Sequence, residues 1–571
     1  MKRPRNAVAF AAVAVALAIG YGLFGGGFSF DFDLPRREPM NYDDAVAKLE
    51  RVVGDVDWRE QNVGRVTAAT FQRRTLEDTL PEIGSFPIVA TPVGGGGVTA
   101  EIFASTEKSG SGTDGWIVEA AGAFNEKNVR LSNGQRAGIR IRKIASGTGY
   151  QFIASRKYLP DGFTPSNHLW IRMAKARGIT MTPIREKTVG NVAGIVMRSD
   201  KAEVLRAELG TISVSGIVEA AIRGRLVTGY TDPFASSTGL NFLVTVLATF
   251  SGGDEARMLA PEVTSAFEEF QRRIPFVALT TLQMRESVRR DGSLDAFVME
   301  YQTYVKTREL SSGYEFIPFG VLHENPLYAV GEVDPLKHEA MEAFAEFLDT
   351  APYRRLARDY GFDPELGYEP PIDVPKGETV ITAQRIWKEK KDAGRPISAV
   401  FLCDTSGSMQ GSRLNSLKRA LIEGSSFVSE DNAIGLVQFS NNVRILLPIR
   451  PFQGLHKSAF VTTVERMQAD GHTAMYDGIA VALRMLVQEK VKNPDVRPML
   501  FVLTDGETNR GIKFGDMERI IEGIRIPVYT IGFEADIKEL GRLSGLVEAA
   551  SLNAGEENIR YQIGSLLNSQ M

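Results

Sequence analysis

From residue 98 onward, short apolar runs alternate with segments whose apolar residues recur at helical spacing. Residues 98–104 and 138–144 have the composition and alternation of strands, and residues 116–124 between them have the pattern of a helix. Strands that alternate with helices along a chain are typical of a parallel sheet with helices on its faces. The pattern therefore predicts an α/β fold for most of the chain.

The most informative apolar run, residues 397–403 (ISAVFLC), stops abruptly at polar side chains. Asp404 follows it directly, then Ser406 and Ser408, and helical spacing begins at Arg413. Such a run indicates a buried parallel strand, and open α/β sheets bind ligands beyond the carboxyl ends of their strands. Carboxylate and hydroxyl oxygens are hard ligands that suit Mg²⁺, Mn²⁺ or Ca²⁺ rather than zinc. We therefore expect a cation site where this strand ends.

Two later segments contribute side chains to the same predicted site. The sequence GHTAMYDG (471–478) places Thr473 in a loop directly before a helix, and LFVLTDGE (500–507) is a second buried strand that ends at Asp505. Ser, Gly and Asp also form ordinary turns. Turn chemistry without a metal is therefore the alternative interpretation of each segment taken singly.

Taken in order, the three segments resemble the metal-ion-dependent adhesion site of von Willebrand factor A (VWA) domains. The five matching positions are Asp404, Ser406, Ser408, Thr473 and Asp505. The resemblance covers about residues 397–571 and implies a Rossmann-like VWA domain over 396–571. It also implies that these side chains surround one divalent cation, Mg²⁺ in the first place and Mn²⁺ or Ca²⁺ as alternatives. An acidic side chain of a protein partner would then complete the coordination.

A second resemblance is spread over the preceding 270 or so residues and is carried by six segments. These are IRKIASGT (141–148), PDGFTPSNHLW (160–170), VAGIVMRS (192–199), YTDPFASSTGL (230–240), AFVMEY (296–301) and PLYAVGEVD (326–334). They resemble type II periplasmic solute-binding proteins, of the group that handles molybdate, sulfate, phosphate and similar solutes. The resemblance implies a two-lobed domain over 98–365 that closes on a small solute in the cleft between its lobes.

Loops rich in Ser, Thr and Gly at helix starts supply the candidate residues for that solute. The candidates are Ser105, Thr106, Ser146, Thr148, Ser236, Ser237 and Thr238. Their hydroxyl groups and the neighbouring backbone N–H groups suit an anion, although Ser and Thr also cap helices without binding anything. Glu107, Lys108 and Asp114 interrupt the first loop, which departs from the compact small-residue loop of oxyanion binders. Oxyanion specificity therefore stays open. Arg140 and Arg142 on strand 138–144 could serve an anion, but a solvated basic face is the favoured interpretation.

The N-terminal residues 1–30 predict a signal peptide or an uncleaved membrane anchor. Lys2, Arg3 and Arg5 precede a charge-free run that continues to Phe30. The 18 residues 7–24 would span roughly 27 Å as a helix, just enough for a bilayer. Basic residues before the run place the body on the extracytoplasmic side in either case. Cleavage after Ala16-Leu-Ala18 is the alternative, and it would give a secreted or periplasmic protein.

Two connecting segments complete the predicted organisation. Residues 31–97 are interpreted as a juxtamembrane spacer. Residues 366–395 are interpreted as a linker, stiffened by Pro370, Pro371 and Pro375 and followed by a charged helix.

Composition narrows the possible functions further. A chain of 571 residues exceeds one hydrophobic core, and its net charge of −4 gives no argument for nucleic acid binding. Cys403 is the only cysteine, so an intrachain disulfide and a cysteine metal cluster are excluded. The five histidines are scattered, and HExxH, GxSxG and P-loop motifs are missing.

The sequence therefore predicts a binding protein rather than an enzyme. It would be membrane-anchored and extracytoplasmic, and it would join a solute-binding module to a VWA module that binds a protein partner through a divalent cation. The alternatives are the binding component of an ABC uptake system and a scaffold whose solute cleft is vestigial. A hydrolase that activates water at the metal stays a further alternative, with Glu507 as the only nearby base.

Overall fold

Three β-sheets flanked by helices make up the described part of the protein. The structure is a computed structural model that describes residues 40–61, 66, 75–94, 97–281, 284–285, 294–506, 508–533, 537–546, 551–554 and 558–571. The predicted N-terminal signal or transmembrane helix (1–30) and Glu507 lie outside these residues. Among the described helices, none combines the length and the apolar character that crossing a bilayer requires.

The strands and helices are numbered in chain order. The strands are β1 (Trp58–Glu60), β2 (Ile88–Ala90), β3 (Gly97–Ala104), β4 (Arg136–Lys143), β5 (Gly162–Thr164), β6 (Met181–Arg185), β7 (Asn191–Arg198), β8 (Thr228–Thr231), β9 (Phe276–Ala278), β10 (Ala296–Glu300), β11 (Tyr314–His323), β12 (Leu327–Val330), β13 (Ile397–Asp404), β14 (Ala433–Phe439), β15 (Val443–Pro451), β16 (Arg497–Thr504), β17 (Val528–Phe533) and β18 (Ser551–Ala554). The helices are α1 (Tyr42–Gly54), α2 (Trp116–Glu126), α3 (Ser146–Ala154), α4 (Leu169–Ala176), α5 (Ser199–Leu209), α6 (Val214–Ile222), α7 (Ser237–Ser251), α8 (Pro261–Gln271), α9 (Tyr301–Val305), α10 (Pro335–Leu348), α11 (Ala351–Asp359), α12 (Gly377–Lys390), α13 (Ser412–Gly424), α14 (Gly454–Arg466), α15 (Met475–Lys492), α16 (Phe514–Ile524), α17 (Ile537–Gly545) and α18 (Ile559–Gln570).

The first two sheets form the two lobes expected for residues 98–365. Six strands in the order β2-β4-β3-β5-β12-β6 build the first lobe, and five in the order β11-β7-β10-β8-β9 build the second. Strand β3 pairs in parallel with both β4 and β5, and β8 pairs in parallel with both β9 and β10. Both lobes are therefore mixed sheets, and each contains three adjacent parallel strands.

The basic face expected on β4 is not solvated at Arg142, which is only 6% exposed. Its Nε donates to Glu101 Oε1 at 2.8 Å, and its NH1 donates to the carbonyl oxygens of Ile83 and Phe86 at 3.0 and 2.6 Å. The side chain is buried because it ties the segment before β2 to the sheet. Arg142 is thus a structural residue rather than a solvated one.

The third sheet carries the Rossmann-like domain, in the order β1-β15-β14-β13-β16-β17-β18. Strand β13 lies at its centre, parallel to β14 and β16, and every residue of β13 is buried. Cys403 lies in this strand as a free, buried thiol. The predicted fold class is confirmed: a two-lobed α/β domain is followed by a second α/β domain that is built on one sheet.

The segment expected as a spacer, residues 31–97, contributes to both folded domains. Strand β1 pairs in parallel with β15, with Trp58 opposite Val443, and so extends the third sheet. Helix α1 packs on α15 and α16, where Glu50 Oε2 accepts from Arg484 Nε at 2.9 Å. Strand β2 pairs antiparallel with β4 in the first lobe. The described part of this segment is therefore integral to the fold.

The segment expected as a linker, residues 366–395, contains α12, which packs against α4, α7 and α8 of the two-lobed domain. A Cβ atom on Gly377 would lie 2.1 Å from the Arg172 carbonyl oxygen, so glycine permits the close approach of α12 and α4. Trp387 is completely buried on the same helix. Lys388 Nζ on α12 also donates to the Asn568 carbonyl oxygen of α18 at 2.6 Å, so this segment contacts both domains instead of tethering them loosely.

Candidate functional site

Two buried carboxylates lie where adjacent parallel strands of the third sheet end. Strand β13 ends at Asp404, and Asp505 directly follows β16, which pairs in parallel with β13. Asp404 is 0% exposed, and the Asp505 side chain is also 0% exposed. Parallel pairing places the carboxyl ends of the two strands at the same sheet edge, and this explains why residues 101 positions apart along the chain meet.

The Ser406 and Ser408 hydroxyl groups form a continuous chain of hydrogen bonds to Asp505. Ser406 Oγ and Ser408 Oγ lie 3.0 Å apart, and Ser408 Oγ donates to Asp505 Oδ1 at 2.8 Å. Asp404 Oδ1 accepts from the Ser406 backbone N–H at 2.8 Å, which fixes the loop that follows β13. The structure therefore brings these four predicted residues together.

Thr473 lies on an adjacent loop that is held against the first one. The Gly407 N–H donates to the Gly471 carbonyl at 3.0 Å, and the Asp470 N–H donates to the Thr405 carbonyl at 2.9 Å. Gly471 has a φ of +86°, and a Cβ there would lie 2.5 Å from the Asn441 side chain. Glycine therefore allows the turn that presents Thr473, which is 4% exposed.

Three further residues belong to this site and were not identified from the sequence. Thr504 Oγ1 donates to Asp404 Oδ2 at 2.5 Å, Asn509 Oδ1 accepts from the Thr473 N–H at 2.9 Å, and Arg413 NH1 donates to Asp505 Oδ2 at 2.9 Å. The position of Thr504, at the end of a buried strand and next to Asp505, was the available signal for one of them. No sequence feature next to Asn509 or Arg413 indicates that either residue belongs to this site.

The electrostatics of the site favour a cation. Burial raises the pKa of the Asp404 carboxyl to about 6, and the neighbouring Asp505 charge adds to the rise, against lowering by hydrogen bonds from Thr504 and Ser406. The rise comes chiefly from burial of the carboxylate, and a bound cation would offset it. Two carboxylates and several hydroxyl oxygens fit a hard divalent cation. Among the described residues, no group of three or more His, Cys, Asp or Glu side chains could hold a metal, so hydroxyl donors would be required.

The seven candidate solute residues all lie near the contact between the two lobes, but their hydroxyl groups have partners within the protein. Ser105 Oγ accepts from Lys108, Thr106 donates to Glu107, and Ser146 Oγ accepts from the Ser166 N–H. Ser236 caps α7, Ser237 Oγ accepts from Trp170 Nε1, and Thr238 donates to Glu300.

Thr148, the remaining candidate, is bonded to the other domain. Its Oγ1 lies 2.8 Å from the Tyr561 hydroxyl of α18, which also donates to Gln151 Oε1 at 3.0 Å. Thr148 is 5% exposed. Its hydroxyl therefore contributes to the contact between the domains.

The lobes touch directly where a cleft was expected. The Gly147 N–H of the first lobe donates to the Ala235 carbonyl of the second at 3.1 Å. A Cβ on Gly147 would lie 1.9 Å from the Phe234 carbonyl oxygen, so glycine is needed for this contact. A cavity of about 1190 Å³ lies elsewhere, between the two-lobed domain, α12 and residues 426–432 of the Rossmann-like domain, and none of the seven candidates is among the described residues that line it.

Comparison with known families agrees with this division. Residues 399–560 match the model of the von Willebrand factor type A domain, and residues 109–363 match that of the bacterial extracellular solute-binding protein. The chain thus contains a VWA domain and a solute-binding domain, which confirms both resemblances drawn from the sequence.

The curated relatives match about a quarter of this chain. An uncharacterized protein of Synechocystis, sll0103, is 28% identical over 148 residues, and inter-alpha-trypsin inhibitor heavy chain H3 of Bos taurus is 30% identical over 151. These matches cover 25% and 24% of this chain, and 33% and 16% of the respective relatives. The chain therefore spans a third or less of the length of these proteins.

Two solved structures align over part of the chain. The sulfate-binding protein SubI from Mycobacterium tuberculosis aligns with a TM-score of 0.34 and 16% identity, over 47% of this chain and 88% of its own. A von Willebrand factor type A protein from Catenulispora acidiphila aligns with a TM-score of 0.28 and 18% identity, over 30% of this chain and 42% of its own.

Proposed function

We propose that this chain, in which a solute-binding domain is joined to a VWA domain, is an extracytoplasmic binding protein that captures a protein partner through a divalent cation. The observation that carries the proposal is the convergence of Asp404, Ser406, Ser408 and Asp505 at one sheet edge, with both carboxylates buried. Thr473 lies on the loop beside them. Mg²⁺ is the first choice of cation, with Mn²⁺ or Ca²⁺ as alternatives.

The chain's own residues hold the predicted ligands in place before any cation binds. Thr504 and the Ser406 N–H fix the two oxygens of Asp404, while Ser408 fixes one oxygen of Asp505. When bound, the cation would supply an open coordination position that attracts a carboxylate of the partner. Hydroxyl ligands leave part of the cation charge uncompensated, and this strengthens that attraction.

Arg413 is expected to weaken cation binding, because its guanidinium pairs with one of the proposed ligands. Arg413→Gln removes a positive charge 2.9 Å from Asp505 Oδ2, and we expect Mg²⁺ affinity to rise about tenfold. Calorimetric titration with Mg²⁺ measures this. Arg419→Gln, at an exposed position of the same helix, is the matched control and should leave the affinity unchanged. Equal affinities for the wild type and Arg413→Gln would contradict the expectation.

Solute uptake is the second candidate function, and it rests on the family model over residues 109–363. The direct contact between the lobes and the internal partners of all seven hydroxyl groups favour instead a scaffold role for this domain.

Thermal denaturation of the full chain with a panel of oxyanions, sugars and amino acids distinguishes the two functions. A ligand at 100 times its dissociation constant would add about 2.7 kcal/mol to the free energy of unfolding. We expect no shift with sulfate, molybdate or phosphate, because the candidate hydroxyls are already bonded. A saturable shift with one of them would establish a solute-binding component and contradict the scaffold role.

Membrane anchorage through residues 1–30 completes the proposal and rests on the basic flank and the charge-free run. Fractionation of cells that express the full chain, compared with a chain that lacks residues 1–30, tests it. Recovery of the full chain in the soluble fraction at its full mass would contradict anchorage.

A further inference from the structure

A cluster of ionisable side chains is buried at the contact between the two lobes. Glu107 is 6% exposed, Lys108 0%, Glu300 2% and His323 0%. Charged groups are almost never buried to this extent unless they are paired. The cluster lies among the candidate solute residues: Ser105 accepts a hydrogen bond from Lys108, and Thr238 donates one to Glu300.

The Lys108 ammonium group has three hydrogen-bond acceptors, one for each of its N–H bonds. Its Nζ lies 2.8 Å from Ser105 Oγ, 2.8 Å from Asn325 Oδ1 and 3.4 Å from the Pro165 carbonyl oxygen. These acceptors follow β3, β11 and β5 respectively, so three separate segments of the chain converge on one ammonium group. A primary ammonium group offers three donors and no acceptor, and the surroundings of Nζ match that pattern.

The acceptor Asn325 is itself held in place by the fold. Its Nδ2 donates to the Val189 and His323 carbonyl oxygens at 3.1 and 3.0 Å, which leaves Oδ1 directed at Lys108. Asn325 also has a φ of +47°, a conformation that Asn tolerates better than other residues with a side chain. The Asn325 side-chain amide is therefore held in place by contacts that do not involve Lys108.

Without Lys108, the cluster would be acidic. Glu300 accepts from Asn191 Nδ2 at 2.7 Å, from Thr238 Oγ1 at 3.2 Å and is paired with His323 Nδ1 at 3.0 Å. Glu107 accepts from the Ser166 hydroxyl. Burial raises the pKa of Glu107 to about 7, and the Glu300 charge adds to the rise, while the positive charge of Lys108 opposes it. An oxyanion placed here would meet two carboxylates, whereas a cation would be attracted by both.

We propose that the interlobe site is built to bind a primary ammonium group, and that Lys108 supplies this group from within the chain. The interlobe site is thus occupied by an internal ligand, and the class of external ligand that the site would accept is a short alkylammonium ion. This goes beyond the proposed function, which concerns the cation site of the VWA domain.

The test replaces the internal ligand with an external one. Lys108→Ala removes three methylene groups and the ammonium, which n-propylammonium supplies in full. We expect Lys108→Ala in the full chain to lose several degrees of thermal stability, and n-propylammonium to restore most of the loss with saturable dependence. The wild type and Lys492→Ala, whose side chain is 72% exposed in the native protein, should show no such restoration. Tetramethylammonium and sulfate should not restore Lys108→Ala, because the first has no N–H donor and the second has the wrong charge.

A second variant separates loss of the ammonium from loss of volume. Lys108→Met fills most of the space without a charge, so we expect it to be destabilised and insensitive to n-propylammonium. If Lys108→Ala does not fold alone, folded protein obtained only with n-propylammonium in the medium gives the same support. The proposal is overturned if Lys108→Met is as stable as the wild type, or if n-propylammonium does not restore Lys108→Ala in either setting.

Discussion

Asp404→Ala is expected to lower the Mg²⁺ affinity of the protein by about 100-fold or more and to abolish cation-dependent capture of a partner. The variant removes one of the two buried carboxylates at the sheet edge, together with the oxygens that Thr504 and Ser406 hold in position. The fold should survive, because the same change also removes a carboxylate that burial disfavours, as its raised pKa of about 6 indicates. Calorimetric titration with Mg²⁺ measures the affinity, and near-ultraviolet circular dichroism measures whether the fold is retained.

The control for this prediction is Asp431→Ala, at an exposed position of the same domain, which should bind Mg²⁺ like the wild type. Capture of proteins from the extracytoplasmic fraction, with and without EDTA, then tests the use of the cation. Undiminished capture in EDTA would show that the partner does not bind through the metal. Unchanged Mg²⁺ affinity in Asp404→Ala would contradict the proposed cation site.

Trp387→Ala is expected to lower the free energy of unfolding by about 3–5 kcal/mol, the usual cost of truncating a fully buried aromatic residue. The Trp387 side chain on α12 is 0% exposed, and its Nε1 donates to the Tyr230 hydroxyl at 2.6 Å, which in turn donates to Gln271. Its ring centroid lies 5.8 Å from that of Phe234. The truncation would leave a cavity in the contact between α12 and the second lobe, and the Tyr230 hydroxyl oxygen would lose the hydrogen bond that it accepts from Trp387.

Urea titration of the full chain measures this loss. Trp387→Phe keeps most of the volume and loses only the N–H donor, so we expect a cost of about 1 kcal/mol. Arg385→Ala, at an exposed position of the same helix, should change the stability by less than about 0.5 kcal/mol. A loss below about 1 kcal/mol in Trp387→Ala would show that α12 is a tether after all.

The candidate cation site could be predicted from the sequence because its information is local. Each candidate ligand lies in a segment that directly follows a buried strand or precedes a helix. Because parallel strands end at one sheet edge, these segments are expected to lie close together. Arg413 and Asn509 were not predictable in this way, because each acts through a contact that no strand end marks. Arg413 reaches Asp505, and Asn509 reaches the Thr473 backbone, across loops whose course the sequence pattern does not specify.

The interlobe contact was harder to predict because its partners are far apart in the chain. Lys108 was noted as a residue that disturbs an anion loop, but its acceptor Asn325 lies 217 positions later. A lysine in a polar loop is usually solvated, and only tertiary structure shows that this one is buried. The same reason applies to Thr148, whose hydroxyl is bonded to Tyr561, 413 positions away.

The pairing of β1 with β15 has a consequence for biosynthesis. Trp58 lies opposite Val443, so the solute-binding domain is inserted between the first strand of the VWA sheet and the rest of that sheet. At about 5–20 residues per second, a ribosome would need roughly 20–80 s to complete β15 after β1 has been made. Throughout that time α1 and β1 have no partner, while the inserted domain can already fold. The VWA domain is therefore begun before the inserted domain and completed after it, and its candidate cation site can assemble only once β16 has been made.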